Sequence, residues 1–351
     1  EYGKSLEEKG TIFKVNPDGR NLNEKPLCIP FWALSFDELI NVTLGNLDNR
    51  DQGTILEFIT DLKEKSHKKN KYPGISGKTL SVDSPIPFSI NKLWLHLHRL
   101  VNSTHTIQGS GQKFSPITEE FEIEKTTEVF LIDEQSNEPV ETGNANKIVP
   151  PKYKSQVQGD IFLSGSTLNI KRQVDSLASK LRDPRYDFLF KPGDWEPKLN
   201  GDTENDLSEL MKSWVGSQKP ISVLDLSGVP ITIKNEIIGI LLRILYEGLF
   251  WARNLSQGAK ERPLLIVMEE AHAYLNDDSK GPASSIVQRI VKEGRKYGIG
   301  AMIVSQRPSE INPTILSQCG TFFALRLSNH TDRSYATNLK DWRINNIRRS
   351  S

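Results

Sequence analysis

LLIVMEEAH (264–272), VKEGRKYG (291–298) and AMIVSQRP (301–308) alternate strand-like and helical patterns and carry the main signal for the fold. Leu264–Met268 is an unbroken apolar run, which predicts a strand buried on both faces, as in a parallel sheet covered by helices. It stops at Glu269 and Glu270. A helix over 284–296 and a second strand over 301–305 are expected to follow. In open α/β sheets ligands bind outside the carboxyl ends of the strands, so both acids are predicted to stand at a site.

Working outward, ISVLDLSG (221–228) reads as a strand and a polar turn, 235–252 as a long apolar helix, 313–318 as a short helix and TFFALRL (321–327) as a further strand. This alternation implies right-handed crossovers and a mostly parallel, doubly wound sheet in the C-terminal third. Upstream, TIFKV (11–15) is a candidate strand and Pro17-Asp18-Gly19 a turn. Ser35 with Glu38 three residues on forms a capping-box pattern ahead of Leu39, Ile40, Val42 and Leu44. Ile55, Phe58, Ile59 and Leu62 put an apolar face on a helix from about 51 to 65.

After that helix the composition turns basic and polar, in KEKSHKKNKYPGISGK at 63–78. Charge runs of this kind are usually a solvated loop, and the sharper alternative is a loop facing DNA phosphates. NKLWLHLHRLV (91–101) suggests a helix, and 102–160 is poor in apolar residues, with an acidic segment at 119–141. Helical spacing returns with Leu168, Ile170, Val174, Leu177 and Leu181, ends at Asp183-Pro184, and recurs at 204–216. The expected division is 1–65 as the first part of the core, 66–216 as a partly helical, partly irregular insertion, 217–335 as the second part of the core, and 336–351 as a basic tail.

Composition excludes several classes. A net charge of +1 gives no global field toward nucleic acid or membrane, so such a surface must be local. Cys28 and Cys319 stand far apart in unrelated contexts, which argues against a disulfide framework or cysteine metal site and fits a reducing cytoplasm. No run approaches a membrane span, and no membrane partner is expected.

An apolar strand ending in two acids suits phosphoryl transfer, in which the first acid holds a Mg²⁺ ion, usually through water, and the second polarises the attacking water. An acid at a strand end also caps a following helix, and the pair alone leaves both readings open. Gln306, at the end of the next strand, could sense a γ-phosphate or orient water, or belong to a polar turn closed by Pro308. Arg295 and Lys296 suit the negative end of a helix dipole, or an arginine finger reaching a neighbouring subunit. His272 follows the acids and is set aside, because a lone histidine more often packs or hydrogen-bonds than catalyses.

With DLSGVP (225–230) upstream, the series LLIVMEEAH, VKEGRKYGIG and IVSQRPSEINPTILSQCGTFFALRLSNHTD resembles the HerA branch of the HerA/FtsK hexameric ATPases. The likeness is strongest over 221–333 and weaker over 1–60 and 167–216, where RDPRYDFLF (182–190) takes part. It implies an α/β fold: a RecA-like P-loop ATPase core interrupted by a helical insertion. It also implies a homo-hexameric ring that uses ATP and Mg²⁺ to move double-stranded DNA. Carried over by residue, Glu269 matches the metal-side acid, where many relatives have Asp, and Glu270 the catalytic glutamate. Gln306 matches the sensor, Arg295 the trans-acting finger, and Arg326 an arginine of a late nucleotide-site motif. Such motors work with a nuclease or a sirtuin-like effector, in end resection or in antiviral defence. The long insertion favours defence, and a ring that chiefly scaffolds a partner enzyme is the alternative.

The departure is the phosphate loop. Gly77-Lys78-Thr79 is the sole Gly-Lys-Thr, without a Gly five positions earlier, a preceding apolar strand or room for a long helix before Pro85 and Pro87. Glu1-Tyr2 resembles the tail of a turn that follows that loop in the family, so the loop is expected to lie upstream of residue 1. Arg343, Arg348 and Arg349 could touch DNA or belong to a disordered tail, and the tail is the preferred reading.

Overall fold

The computed structural model describes residues 9–19, 21, 23–70, 72, 78–102, 104–108, 112–113, 144–150, 161–163, 168–216, 219–254, 261–276, 281–327, 329–335 and 337. They fall in two compact units, one of 1–210 with 219–229 and one of 211–218 with 230–351. The acidic segment, Gly77 and the arginines of the tail lie outside the described residues.

The first unit is built on a parallel sheet. Strand β1 (Gly10–Lys14) pairs with β2 (Glu24–Pro26) on one side and, on the other, with β6 (Ile221–Asp225), in register from Gly10 opposite Ile221 to Lys14 opposite Asp225. Helix α1 (Phe36–Thr43) starts at the capping box read from sequence: Ser35 Oγ accepts from Glu38 N, and the Glu38 carboxylate accepts from Ser35 N. Helix α2 (Asn49–Asn70) buries Ile55, Ile59, Lys63 and Ser66 along one face.

The first part of the basic run expected as a loop, 63–70, is instead the last turns of α2. Two physical causes are visible. Lys65 and Lys68 form i,i+4 ion pairs with Asp61 and Glu64, which suits a helix surface. Lys63 is buried and its ammonium donates to the carbonyls of Val82 and Ser84, tying the helix to the following segment. Within 63–70 the lysines are thus engaged, Lys65 and Lys68 with acids of the same helix and Lys69 with Asp202. Lys78 and Thr79 form a turn and not the start of a helix, which first resumes at α3 (Ile90–Asn102).

Next come an antiparallel trio, β3 (Thr104–Gln108) between β4 (Gln112–Lys113) and β5 (Ile161–Leu163), then α4 (Lys171–Arg182). Val174, Leu177, Ala178 and Leu181 are the buried stripe of α4, and the helix stops at Asp183, as the following proline requires. Lys180 lies across to α1, donating to the carbonyls of Val42 and Thr43 at that helix's carboxyl end; burial pulls its pKa down. A short helix α5 (Asp187–Phe190) and α6 (Leu207–Val215) complete the helical elements that precede β6. The Cys28 thiol is pushed up to about 11 by burial, and secondarily by Asp194, so it is an inert packing group.

The second unit carries the stretch that opened the sequence reading. Helix α7 (Lys234–Trp251) is apolar on most of its surface, and α8 (Pro282–Glu293) buries Ala283, Ile286, Val287 and Ile290. Where the two meet, a side chain at Gly239 would strike the backbone of Ala283 at 2.9 Å, so glycine permits the close approach. Strands β7 (Leu264–Met268) and β8 (Ile299–Ile303) pair in parallel, from Leu264 opposite Ile299 to Met268 opposite Ile303, and α9 (Pro313–Gln318) follows.

Two expectations are corrected in this unit. Burial along β7 alternates instead of covering both faces: Leu265 and Val267 are 59% and 50% exposed, and Met302, beside Val267, is 45% exposed. Helix packing protects one face of the pair only, so the unbroken apolar run does not mean a strand covered on both sides here. TFFALRL forms no strand: among the described residues it has no ladder partner, and 321–326 are exposed, including Phe323 and Leu325. Apolar, β-prone residues do not make a strand without an edge to pair with. The mixed helix and parallel-sheet character of the chain stands as expected.

Candidate functional site

The site is built by the way β7 ends. Val304 N donates to the Met268 carbonyl at 2.9 Å, and the Val304 carbonyl accepts from Ala271 N at 3.0 Å. One residue just past the end of the neighbouring strand thus holds both sides of a two-residue detour, and the two residues that bulge out are Glu269 and Glu270. A detour this short demands a tight reversal, and Glu270 takes it up with φ 48° and ψ 41°, in the left-handed region. For a residue with a side chain this costs on the order of 1–3 kcal/mol, a strain that collects at functional positions. The turn is locked from behind, where Ala273 N donates to the Glu270 carbonyl and Leu275 N to that of Ala271.

Four side chains converge on this reversal. Gln306 Nε2 donates to Glu270 Oε1 at 2.8 Å. His272 Nδ1 stands 3.4 Å from Glu270 Oε2 and 3.1 Å from Ser305 Oγ. Ser305 Oγ also accepts from Arg307 N, which fixes the hydroxyl against its own backbone. The Glu270 side chain remains 53% exposed and the His272 side chain 18% exposed, so the carboxylate is braced from within and open to solvent outside.

Glu269 behaves differently. Its carboxylate makes no hydrogen bond or ion pair among the described residues, while its carbonyl accepts from the Tyr274 hydroxyl at 3.1 Å. Burial, and then the Glu269 charge, push the Tyr274 phenol up to about 12, so it stays a donor throughout the neutral range. No group of three or more His, Cys, Asp or Glu side chains suited to a metal occurs among the described residues. A lone, unengaged carboxylate nevertheless suits Mg²⁺, which keeps several waters and binds through one or two carboxylates together with substrate phosphates.

Behind the Gln306 turn, Asp332 is almost fully buried and its Oδ1 accepts from both the backbone and the hydroxyl of Ser309, at 3.1 and 2.6 Å. Those hydrogen bonds, the side-chain one first, hold its carboxyl below the usual range. Arg307 pairs on the surface with Glu310 at 3.0 Å.

Of the residues singled out from sequence, Glu270 and Gln306 are brought into contact and Glu269 adjoins them in the chain with its carboxylate unengaged, while Arg295 and Arg326 are not brought to them. Arg295 is exposed in the 3-10 turn Gly294–Tyr297 that follows α8, immediately before β8. Because β7 and β8 are parallel, the start of β8 and the acid pair lie at opposite ends of the strands, about 16 Å apart along a five-residue strand. Arg326 is exposed within 321–327, and among the described residues no hydrogen bond or ion pair joins it to the acids. Sequence reading set His272 aside and gave Ser305 no role. Their signal was a histidine two residues after an acid and a serine just before Gln306, which acquires meaning only once the left-handed turn folds one onto the other.

Comparison with known proteins gives this arrangement a context. Residues 1–245 match the family model described as "Helicase HerA, central domain", and 196–343 match "Helicase HerA-like C-terminal". A probable helicase of Methanocaldococcus jannaschii is 47% identical over 77 residues, 22% of this chain and 15% of that protein. The DNA double-strand break repair helicase HerA of Pyrococcus furiosus is 45% identical over 73 residues, 21% of this chain and 13% of its own length. The protein of the same name from Sulfolobus acidocaldarius is 31% identical over 175 residues, covering half of this chain and 35% of the relative. The matched stretches thus span about a third or less of these relatives. With one family model matching well over half of its residues, the chain belongs to the HerA helicase family.

Proposed function

We propose that this chain supplies the water-activating half of a nucleotide site in a DNA-translocating ATPase, with Glu270 as the general base and Gln306 as the group that orients the water. The observation that carries the reading is the 2.8 Å contact between Gln306 and a strained, solvent-facing Glu270 at the carboxyl ends of two parallel strands. An ionised carboxylate can take a proton from water, and a neighbouring amide held in fixed geometry can accept the other hydrogen. Glu269, unengaged beside them, would hold Mg²⁺, and the ion would supply charge neutralisation on the nucleotide phosphates.

The nucleotide is ATP and the track double-stranded DNA in this proposal, which rests on family membership and on relatives named as double-strand break repair helicases. Ring assembly with six copies belongs to the same reading: Arg295, exposed at the opposite end of the strands from the acids, would serve a neighbour's nucleotide and not its own. Of the two settings, end resection and antiviral defence, we take the first because relatives are named as DNA double-strand break repair helicases, and add a nuclease effector and a cytoplasmic location as part of this proposal. Among the described residues no helix is long and apolar enough to cross a membrane.

The test uses the full-length protein with and without duplex DNA. DNA-stimulated ATP hydrolysis that Glu270→Ala reduces to background supports the motor. Background hydrolysis by the wild type, with activation of a partner nuclease intact in both, overturns it in favour of a scaffold.

A further inference from the structure

Resting on the reading of Glu270 as the base, we propose that His272 is a positioning residue: its Nδ1–H holds Oε2 of Glu270 while Gln306 holds Oε1. A glutamate side chain has three rotatable bonds, and one hydrogen bond to one oxygen leaves its carboxylate free to swing. The second oxygen faces one nitrogen, Nδ1 of His272, at 3.4 Å. The pair lies outside hydrogen-bond geometry here, where Nδ1 bonds Ser305 Oγ at 3.1 Å. Catalytic hydrogen bonds are often long until substrate is seated, and in this proposal Nδ1–H turns from Ser305 to Oε2 at that point.

The ring is held where this requires. His272 lies in the 3-10 turn Ala271–Ala273, which is tied back to Glu270 and to Val304, and its side chain is mostly buried. Ser305 Oγ, 3.1 Å from the same nitrogen, is fixed by accepting from Arg307 N. An ionised carboxylate oxygen only accepts, so the tautomer that satisfies Oε2 carries its proton on Nδ1. His272 thereby links the turn after β7 to the segment after β8 through side chains, alongside the backbone bonds of Val304.

The geometry gives a test that separates this role from general packing. Asparagine places its amide nitrogen as many bonds from the backbone as Nδ1, whereas glutamine places its own where Nε2 would be. In full-length protein with ATP and duplex DNA, His272→Ala is expected to lower kcat about tenfold with KM for ATP within about twofold. His272→Asn recovers most of that loss, and His272→Gln does not. Thermal midpoints of the Asn and Gln variants, both polar and smaller than histidine, verify that folding is matched. Wild-type rates in all three variants, equal losses in Asn and Gln, rescue by Gln instead of Asn, or a change confined to KM would each overturn the assignment. Glu270→Gln is assayed in parallel. If it abolishes hydrolysis while the His272 series is flat, the inference fails alone; if it retains wild-type hydrolysis, the reading of Glu270 as the base fails with it.

Discussion

Gln306 Nε2 and Glu270 Oε1 meet at 2.8 Å, although 36 residues separate them in the chain. Parallel pairing of β7 with β8 in a register that sets Met268 opposite Ile303 brings the two strand ends side by side. The backbone of Val304 then fixes how far each end overshoots. This contact has consequences that can be measured.

Replacing Gln306 by Ala removes the donor to Glu270 and is expected to lower ATP turnover by about 10- to 100-fold with little change in ATP affinity. Gln306→Glu should be worse, since two carboxylates would then face each other and raise one another's pKa. Steady-state hydrolysis alongside nucleotide binding by fluorescence distinguishes the two effects.

Arg295, at the opposite end of the strands from the acids, should act on a neighbour's nucleotide. Arg295→Ala is expected to cost about 10³-fold in hydrolysis. Mixed assemblies of Arg295→Ala and Glu270→Gln subunits should recover activity that neither variant shows alone, because some interfaces then carry an intact arginine and an intact base. No recovery at any mixing ratio contradicts a role in trans.

Tyr274 reports on Glu269. Its phenol is held up to about 12 mainly by burial and secondarily by the Glu269 charge, so Glu269→Gln should lower its pKa while leaving it above the ordinary tyrosine value. Titration followed by NMR of ¹³C-labelled tyrosine resolves the shift, and an unchanged pKa contradicts the proximity.

Asp332 couples acid stability to the Gln306 turn. Its folded pKa lies below its unfolded value of about 3.9. Its ionised form therefore stabilises the fold fully above that value, and the contribution is lost as pH falls through the folded pKa. The difference in thermal midpoint between wild type and Asp332→Asn should be largest near neutrality and close as pH drops below about 3.9. A gap that is constant with pH would assign the effect to packing.

Much of the framework was legible in the sequence for identifiable reasons. Ser35 and Glu38 cap α1 because both halves of the box depend on local spacing alone. Leu264–Met268 was located to the residue, since an apolar run bounded by a proline and two acids has sharp ends. The proximity of Gln306 to the acids followed from parallel strand order. What spacing could not convey was which faces are covered, hence the exposed Leu265 and Val267. Nor could it show that Lys63, by finding two carbonyl acceptors, carries α2 on through a basic run. His272 was hidden because its role depends on the left-handed turn at Glu270, and a glutamate gives no sign in sequence of adopting one.

The most direct measurement of the acid and amide as one unit is a double-mutant cycle of Glu270→Gln and Gln306→Ala, reading single-turnover ATP hydrolysis in the full-length, DNA-bound protein. If Gln306 works through Glu270, the double variant hydrolyses no more slowly than Glu270→Gln alone, within about twofold. Losses that multiply, giving a double variant slower than Glu270→Gln by the full factor of Gln306→Ala, would contradict it.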